Sequence, residues 1–226
     1  MNDRHTNRLA AIAAIGGATL LTVGTYFHPM SADPNVPLAA FTEYAADQHW
    51  VASHLTQLAG VALMVAALAL FSRMMATGPA DVAASLGKVF AVASLAVAGA
   101  LQAVDGVALR AMVNAWAATP EPSRQMLFVA AFAVRQIEIG LASIGSLLFG
   151  ITAALYGIAI LIDSRRFPRW LGLVAIGGGV PTAISGVAIA YTGFSGLEMA
   201  INMPSSIVIL LWMVAMGVYS WRMAPA

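Results

Sequence analysis

The sequence of 226 residues contains no cysteine and very little charge. The lack of cysteine excludes disulfide bonds, thiolate metal centres and cysteine nucleophiles. Charged residues make up only 9% of the chain, whereas a soluble domain carries about 25%, so there is too little charge to cover a globule in water. The formal net charge is +1, and the absence of a basic run argues against binding to nucleic acid.

The sequence motifs of several common enzyme classes are also missing. The chain has no G-x-S-x-G elbow, no P-loop and no G-x-G-x-x-G turn, which are the usual signals for hydrolases, nucleotide-binding domains and dinucleotide-binding domains. No H-E-x-x-H or other dense set of metal ligands occurs either. The sequence therefore leaves any cofactor unknown.

Long apolar runs dominate what is present, since 60% of the residues are hydrophobic. A spanning helix needs roughly 20 mostly apolar residues, and runs this continuous do not fit the alternating strands of a membrane barrel. We therefore predict an all-α polytopic bundle, a single integral membrane domain over residues 1–226. Its six predicted transmembrane helices are Leu9–Phe27, Trp50–Ser72, Lys88–Leu109, Ile139–Ile162, Trp170–Tyr191 and Pro204–Trp221.

The distribution of Lys and Arg predicts how the bundle is oriented, because cytoplasmic loops carry an excess of both. Three of these basic residues fall on one side of the membrane, and eight fall on the other. The three are Arg110, Arg124 and Arg135, and the eight are Arg4, Arg8, Arg73, Lys88, Arg165, Arg166, Arg169 and Arg222. Both termini are therefore expected in the cytoplasm.

Two longer connections are predicted on the outer side. The first, His28–His49, carries Leu38, Phe41 and Tyr44 at helical spacing, which predicts a short amphipathic helix on the outer membrane interface. The second leads into the fourth span, where residues 125–162 would measure about 57 Å as one helix. That is too long for one crossing, so residues 123–137 are expected to project, kink or re-enter.

Small residues at four-residue spacing predict where helices pack closely, because small side chains let backbones approach in lipid. One such stripe comprises Ala142, Ser146, Gly150 and Ala154, and a second comprises Gly178, Thr182, Gly186 and Ala190.

The turn before the fifth span carries a family resemblance. It contains Ser164, Pro168, Leu171 and Gly172 in the pattern Ser-x-x-x-Pro-Arg-x-Leu-Gly. In this turn, and loosely over its whole length, the chain resembles uncharacterised bacterial multi-pass membrane proteins that are grouped only as a domain of unknown function. The resemblance implies a bacterial cytoplasmic (inner) membrane protein of about six or seven helices, and it implies no activity.

Polar residues near the outer ends of the helices form the candidate site. Helix rise places Asp105 and Glu138 at the outer edge of a hydrocarbon core about 30 Å thick, and His54 begins the second span on the same side. Ionisable groups at membrane depth usually face the bundle interior and mark function. The candidate ligand-binding residues are His54, Gln57, Gln102, Asp105, Arg135 and Glu138. Arg135 is also placed to pair with Glu138 three residues later.

Histidine chemistry leaves further alternatives open. Imidazoles with carboxylates suit zinc, copper or iron, and His28, His49 and His54 are the candidate metal ligands. His49 and His54 point in different directions on a helix, so a metal site would need ligands from several helices. His28 also fits a structural helix end before Pro29, and His49 also fits a solvated side chain beside Asp47 and Trp50.

We therefore expect a membrane protein that binds or helps move a small ligand in an outward-facing polar pocket. Lipophilic molecules are among the expected ligands. The alternatives are a membrane enzyme or a haem or metal redox protein that uses the same histidines, and an accessory or scaffold subunit whose small-residue stripes dock other helices. The expected partners are the lipid bilayer, a small molecule, and a partner helix or a second copy of the chain.

Overall fold

The computed structural model describes residues 3–75 and 78–223, and every regular element in these two ranges is helical. Six helical segments are long and apolar enough to cross a membrane. This confirms the all-α prediction and the number of candidate spans, and it gives the chain the architecture of a multi-pass membrane protein. In order, the helices are α1 (Asp3–Tyr26), α2 (Pro37–Ala46), α3 (Trp50–Met74), α4 (Gly78–Gln102), a π-helix (Ala103–Leu109), α5 (Arg110–Ala118), α6 (Ser123–Ile162), α7 (Arg169–Thr192) and α8 (Gly196–Arg222).

Three of the predicted spans are too short. The third runs without a break from Gly78 to Ala118 through α4, the π-helix and α5, and the fourth is the 40-residue helix α6. The sixth begins at Gly196, with Pro204 inside it. An apolar run reports only lipid-like composition, whereas a helix continues until a residue stops it. Here Gly78 has a positive φ of 56°, and Pro120 and Pro122 separate α5 from α6.

The six membrane-length helices form a closed ring, in which each contacts the next along the chain and α8 returns to α1. Their shared core is apolar, and Tyr156 crosses it to donate a 2.6 Å hydrogen bond to the carbonyl of Leu68. Each half of the ring begins with a tightly packed antiparallel pair, α1 with α3 and α6 with α7.

Both pairs meet along small residues that repeat every seven positions. A Cβ built on Gly150 would lie 2.5 Å from the carbonyl oxygen of Gly179, and one built on Gly60 would lie 2.8 Å from that of Gly17. The α6–α7 seam joins Ser143, Gly150 and Gly157 to Gly186, Gly179 and Gly172. The predicted four-residue stripes are therefore only partly right: Gly150 and Gly186 lie in this seam, whereas Gly178 packs against α8.

The longest helix extends past its neighbour at one end of the ring. Ser143 donates a 2.8 Å hydrogen bond to the carbonyl of Gly186, so the end of α7 lies level with Ile137, and the residues of α6 before Ile137 extend beyond it. Since α6 is one unbroken helix, the re-entrant alternative for residues 123–137 is wrong. At 1.5 Å per residue α6 is about 60 Å long, twice a hydrocarbon core of about 30 Å.

A second, smaller core occupies this end. The short helix α2 packs there against α5 and the first half of α6, through Ala40, Phe41, Tyr44, Trp50, Leu109, Val113, Trp116 and Ala131. We name this end of the ring the α2 end. It holds the site.

Candidate functional site at the α2 end

The polar residues predicted to share one layer do lie together at the α2 end. Four of them are buried: His54, Asp105, Arg135 and Glu138 have exposed fractions of 1%, 9%, 5% and 3%. Asp105 interacts electrostatically with both Arg135 and Glu138, and His28 with His54 and Asp105. We define the polar layer as His28, His54, Asp105, Arg135 and Glu138.

A π-helix carries Asp105 into this layer. Residues 103–109 form π-helical turns between α4 and α5, and Asp105, Gly106 and Leu109 are buried on their inner side. Such turns are rare and frequently occur at functional sites. Gly106 lets them approach α3 closely, since a Cβ there would lie 2.8 Å from the Cβ of His54.

The His54 ring is held between two acceptors. Its Nδ1 lies 2.6 Å from the carbonyl oxygen of Trp50, one turn earlier in α3, and its Nε2 lies 3.0 Å from Oδ2 of Asp105. The Trp50 ring stacks on the imidazole with centroids 4.6 Å apart, and its Nε1 donates to the backbone carbonyl of Asp105 at 3.1 Å. Trp50 therefore positions both members of the pair.

His28 completes the group from the end of α1. Its ring centroid lies 4.9 Å from that of His54 and 5.3 Å from that of Trp50. Burial lowers the pKa of His28 below its usual 6.5, and the neighbouring His54 lowers it further, while Asp105 and the Pro29 backbone oppose the shift. The side chains of His28, His54 and Asp105 each offer a donor atom, and these three atoms all lie within 4.8 Å of one another.

The predicted pair of Arg135 and Glu138 forms, and it is buried. Nη1 of Arg135 donates to both carboxylate oxygens of Glu138, at 2.8 and 2.6 Å. Two aromatic rings flank the guanidinium, with the Tyr44 centroid 5.5 Å and the Phe194 centroid 5.2 Å from Cζ. Cation–π contacts of this kind strengthen when they are desolvated, so Arg135 is fixed on several sides.

The two predicted glutamines lie one turn along α3 and α4 from the His54–Asp105 pair and bond to each other. Nε2 of Gln102 donates to Oε1 of Gln57 at 3.3 Å, and Gln57 in turn contacts the hydroxyl of Thr25 at 3.4 Å. The remaining amide oxygen of Gln102 is buried without a hydrogen-bond partner among the described residues, as is Oδ1 of Asp105. These two unpaired acceptors are three residues apart in the chain.

The helix α2 covers the polar layer. Tyr44 places its ring 4.4 Å from that of Trp50, and burial raises the pKa of Tyr44 to about 12 although Arg135 opposes the shift. Arg110 donates a hydrogen bond to the carbonyl of Tyr44 and another, at 2.5 Å, to the carbonyl of Asp47. Both carbonyls lie at the C-terminus of α2, which Arg110 therefore caps. At the other side of the connection, both carboxylate oxygens of Glu43 accept backbone N–H groups, from Ser31 at 2.9 Å and Ala32 at 2.8 Å.

One predicted residue lies outside the layer, and several that build it were missed. His49 is exposed and contacts Phe27, with ring centroids 6.0 Å apart, so it does not join the other two histidines. Trp50, Tyr44 and Gly106 were not predicted as site residues. The aromatic residues flanking His54 and the glycine that follows Asp105 were the available signals in the sequence.

No family model, no curated protein and no solved structure matches the chain.

Proposed function

We propose that this protein is a membrane-embedded binding protein whose polar layer takes up a small ligand that carries positive charge or donates hydrogen bonds. The observation that carries this proposal is the pair of buried acceptors without a donor, Oδ1 of Asp105 and the side-chain oxygen of Gln102. A buried acceptor left unpaired costs about 1–3 kcal/mol, and native proteins contain few of them. Two of them, three residues apart in the polar end of one continuous helix, can each accept a hydrogen bond from a ligand that donates.

The charge balance of the polar layer supports a cationic ligand. Asp105 and Glu138 are two buried carboxylates, and Arg135 is paired with Glu138 alone among them. Among the described residues, Asp105 has no arginine or lysine partner, and its ion-pair contact is with His54. An anion would add a like charge beside two buried carboxylates, so a ligand that donates hydrogen bonds or carries positive charge is favoured.

We further propose that the site opens to the outer side of the membrane. We infer a bacterial cytoplasmic membrane with both termini in the cytoplasm, so that the α2 end faces outward and α2 lies at the outer interface. The excess of Lys and Arg on the opposite side supports this orientation. The chain has no cysteine, so Glu121→Cys and Ser164→Cys each introduce a single thiol at an exposed loop position. A membrane-impermeant maleimide added to intact cells should label the first and not the second, and the reverse result would refute the orientation.

Ligand-dependent stability tests the binding proposal. Purified protein in detergent is unfolded thermally with and without Zn²⁺, methylammonium, ethanolammonium or choline. A ligand at 100 times its Kd adds about 2.7 kcal/mol, which raises the Tm of a chain of this size by roughly 5–10 °C. At least one probe should do so for the wild type and not for the Gln102→Leu/Asp105→Asn double variant.

Asp81→Asn is the matched control, because Asp81 lies at the start of α4, remote from the polar layer, and should leave the response intact. The proposal fails when no probe raises the Tm, or when the double variant responds as the wild type does.

A further inference from the structure

We propose that His28, His54 and Asp105 form a binding site for one divalent transition-metal ion. This inference deepens the proposed function and rests on it, because the metal ion would be the positively charged ligand of the polar layer. Two imidazoles and one carboxylate are the donor set of many zinc and non-haem iron sites. The three donors come from the end of α1, the second turn of α3 and the π-helix, so the fold brings them together from distant parts of the chain.

Distances between the donors suit coordination. Ligand atoms lie about 2.0–2.2 Å from zinc, so two adjacent ligands of one ion are separated by roughly 3.0–3.5 Å. Nε2 of His54 and Oδ2 of Asp105 are 3.0 Å apart. The widest separation among the three donor atoms is at most 4.8 Å. His28 is half-buried at a helix end, where a small rotation of its ring brings its donor into range.

The surroundings of His54 are those of a metal ligand. A ligating histidine almost always directs its other ring nitrogen to a carboxylate, a backbone carbonyl or water, which fixes the tautomer and the ring orientation. Nδ1 of His54 has that partner in the carbonyl of Trp50, at 2.6 Å. With the proton on Nδ1, the lone pair of Nε2 points at a carboxylate oxygen of Asp105. Two facing donor atoms at this distance are held together either by a shared proton or by a metal ion that takes its place.

The carboxylate of Asp105 also has capacity to spare. In a histidine–aspartate pair with a purely structural role, we expect the second carboxylate oxygen to accept a hydrogen bond, because buried polar atoms are nearly always paired. Oδ1 of Asp105 has no such partner among the described residues. It is free to bind the same ion or to accept from a water molecule on it. The backbone of Asp105 is meanwhile fixed by Nε1 of Trp50.

Cobalt and zinc titration tests the site. The full chain is purified with a histidine-free tag, stripped with EDTA and titrated with Co²⁺ by visible absorption, then with Zn²⁺ in competition. We expect one equivalent to bind, with the visible bands of protein-bound Co²⁺ that the aquo ion lacks. His54→Ala and Asp105→Ala should each weaken binding by more than the roughly 10–100-fold that changes outside the ligand set cause.

His28→Ala provides a second variant that tests the same site with less risk to folding, because His28 is only half-buried at the end of α1. It should also weaken binding by more than 10-fold. The control is His49→Ala, which removes an exposed imidazole outside the group and should bind Co²⁺ like the wild type.

The results of these experiments can distinguish failure of the metal site from failure of the cation-binding proposal on which it rests. Failure of the wild type to bind Co²⁺ or Zn²⁺, or equal binding by His28→Ala, His49→Ala and the wild type, overturns the metal site. When that happens and an ammonium probe still raises the Tm in a manner that needs Asp105, the polar layer remains a binding site for an organic cation. When no probe of either kind acts, both proposals fall.

Discussion

Gly106 faces His54 so closely that no side chain fits between them, because a Cβ at Gly106 would lie 2.8 Å from the Cβ and 3.1 Å from the Cγ of His54. The preceding residue, Asp105, meets the same ring through its carboxylate at 3.0 Å. The π-helix thus packs its backbone against one side of the His54 imidazole and places the Asp105 carboxylate beside Nε2. The geometry of the pair depends on a residue that contributes no side chain.

Gly106→Ala should therefore weaken the site without removing any donor atom. The added methyl group has to push the π-helix away from α3, and overpacking of this kind costs about 1–3 kcal/mol. We expect a lower Tm and roughly 10–100-fold weaker Co²⁺ binding, the effect of a change outside the ligand set. Gly99→Ala is the control in the same continuous helix, since nothing lies within 4 Å of a Cβ there. Equal behaviour of the two variants would contradict the role assigned to Gly106.

The buried pair of Arg135 and Glu138 makes a separate prediction about stability. Arg135→Met leaves the Glu138 carboxylate buried without its cation, which costs about 3–5 kcal/mol when one partner of a buried pair is removed. Adding Glu138→Leu removes the orphaned charge as well and should restore most of that loss. Equilibrium unfolding in mixed micelles measures the free energy of unfolding for all three proteins. A double variant no more stable than Arg135→Met would show that the pair is not the source of the effect.

Glu43 should stabilise the connection between α1 and α2 without affecting the local stability of the transmembrane helices. Glu43→Gln keeps the size of the side chain but replaces a carboxylate oxygen that accepts from a backbone N–H with an amide donor, so Ser31 or Ala32 loses its partner. We expect hydrogen exchange at these two amides to accelerate at least about 10-fold, the equivalent of 1.4 kcal/mol of local opening, with exchange in α6 unchanged. Glu121→Gln, at an exposed position of the same end, should change neither. Unaltered exchange at Ser31 and Ala32 would contradict the assigned contact.

The six spans could be predicted from the sequence because each depends on local composition, and the layer of His54, Asp105 and Glu138 could be predicted because helix rise is constant. The π-helix could not be predicted from the sequence. A π-turn adds one residue to a turn, which rotates everything after it by about 100° relative to an α-helix. Gln102 and Asp105 both face α3, where they bond to Gln57 and His54, but the change from α-helix to π-helix between them leaves no mark in the composition.

The packing seams illustrate a second limit of prediction. Small residues occur in this sequence at both four-residue and seven-residue spacing, and composition does not decide which set forms the contact. Antiparallel helices that cross at a shallow angle meet every 3.5 residues, which selects the seven-residue set. Gly178 satisfies the four-residue pattern and yet faces α8, whereas its neighbour Gly179 lies in the seam.

That neighbour relationship gives the sharpest test of the seam. A Cβ on Gly179 would lie 2.6 Å from the carbonyl oxygen of Gly150, a backbone atom that cannot move aside without shifting α6. Gly179→Ala should therefore separate α6 from α7 and lower the free energy of unfolding by about 1–3 kcal/mol. Gly177→Ala is matched to it, two residues earlier in the same helix, with nothing within 4 Å of the new Cβ. Because alanine is the better helix former by up to about 1 kcal/mol, the control should be neutral or more stable than the wild type. Thermal unfolding in detergent compares the two variants, and a loss of stability as large in Gly177→Ala as in Gly179→Ala would show that the effect comes from glycine in this helix and not from the seam.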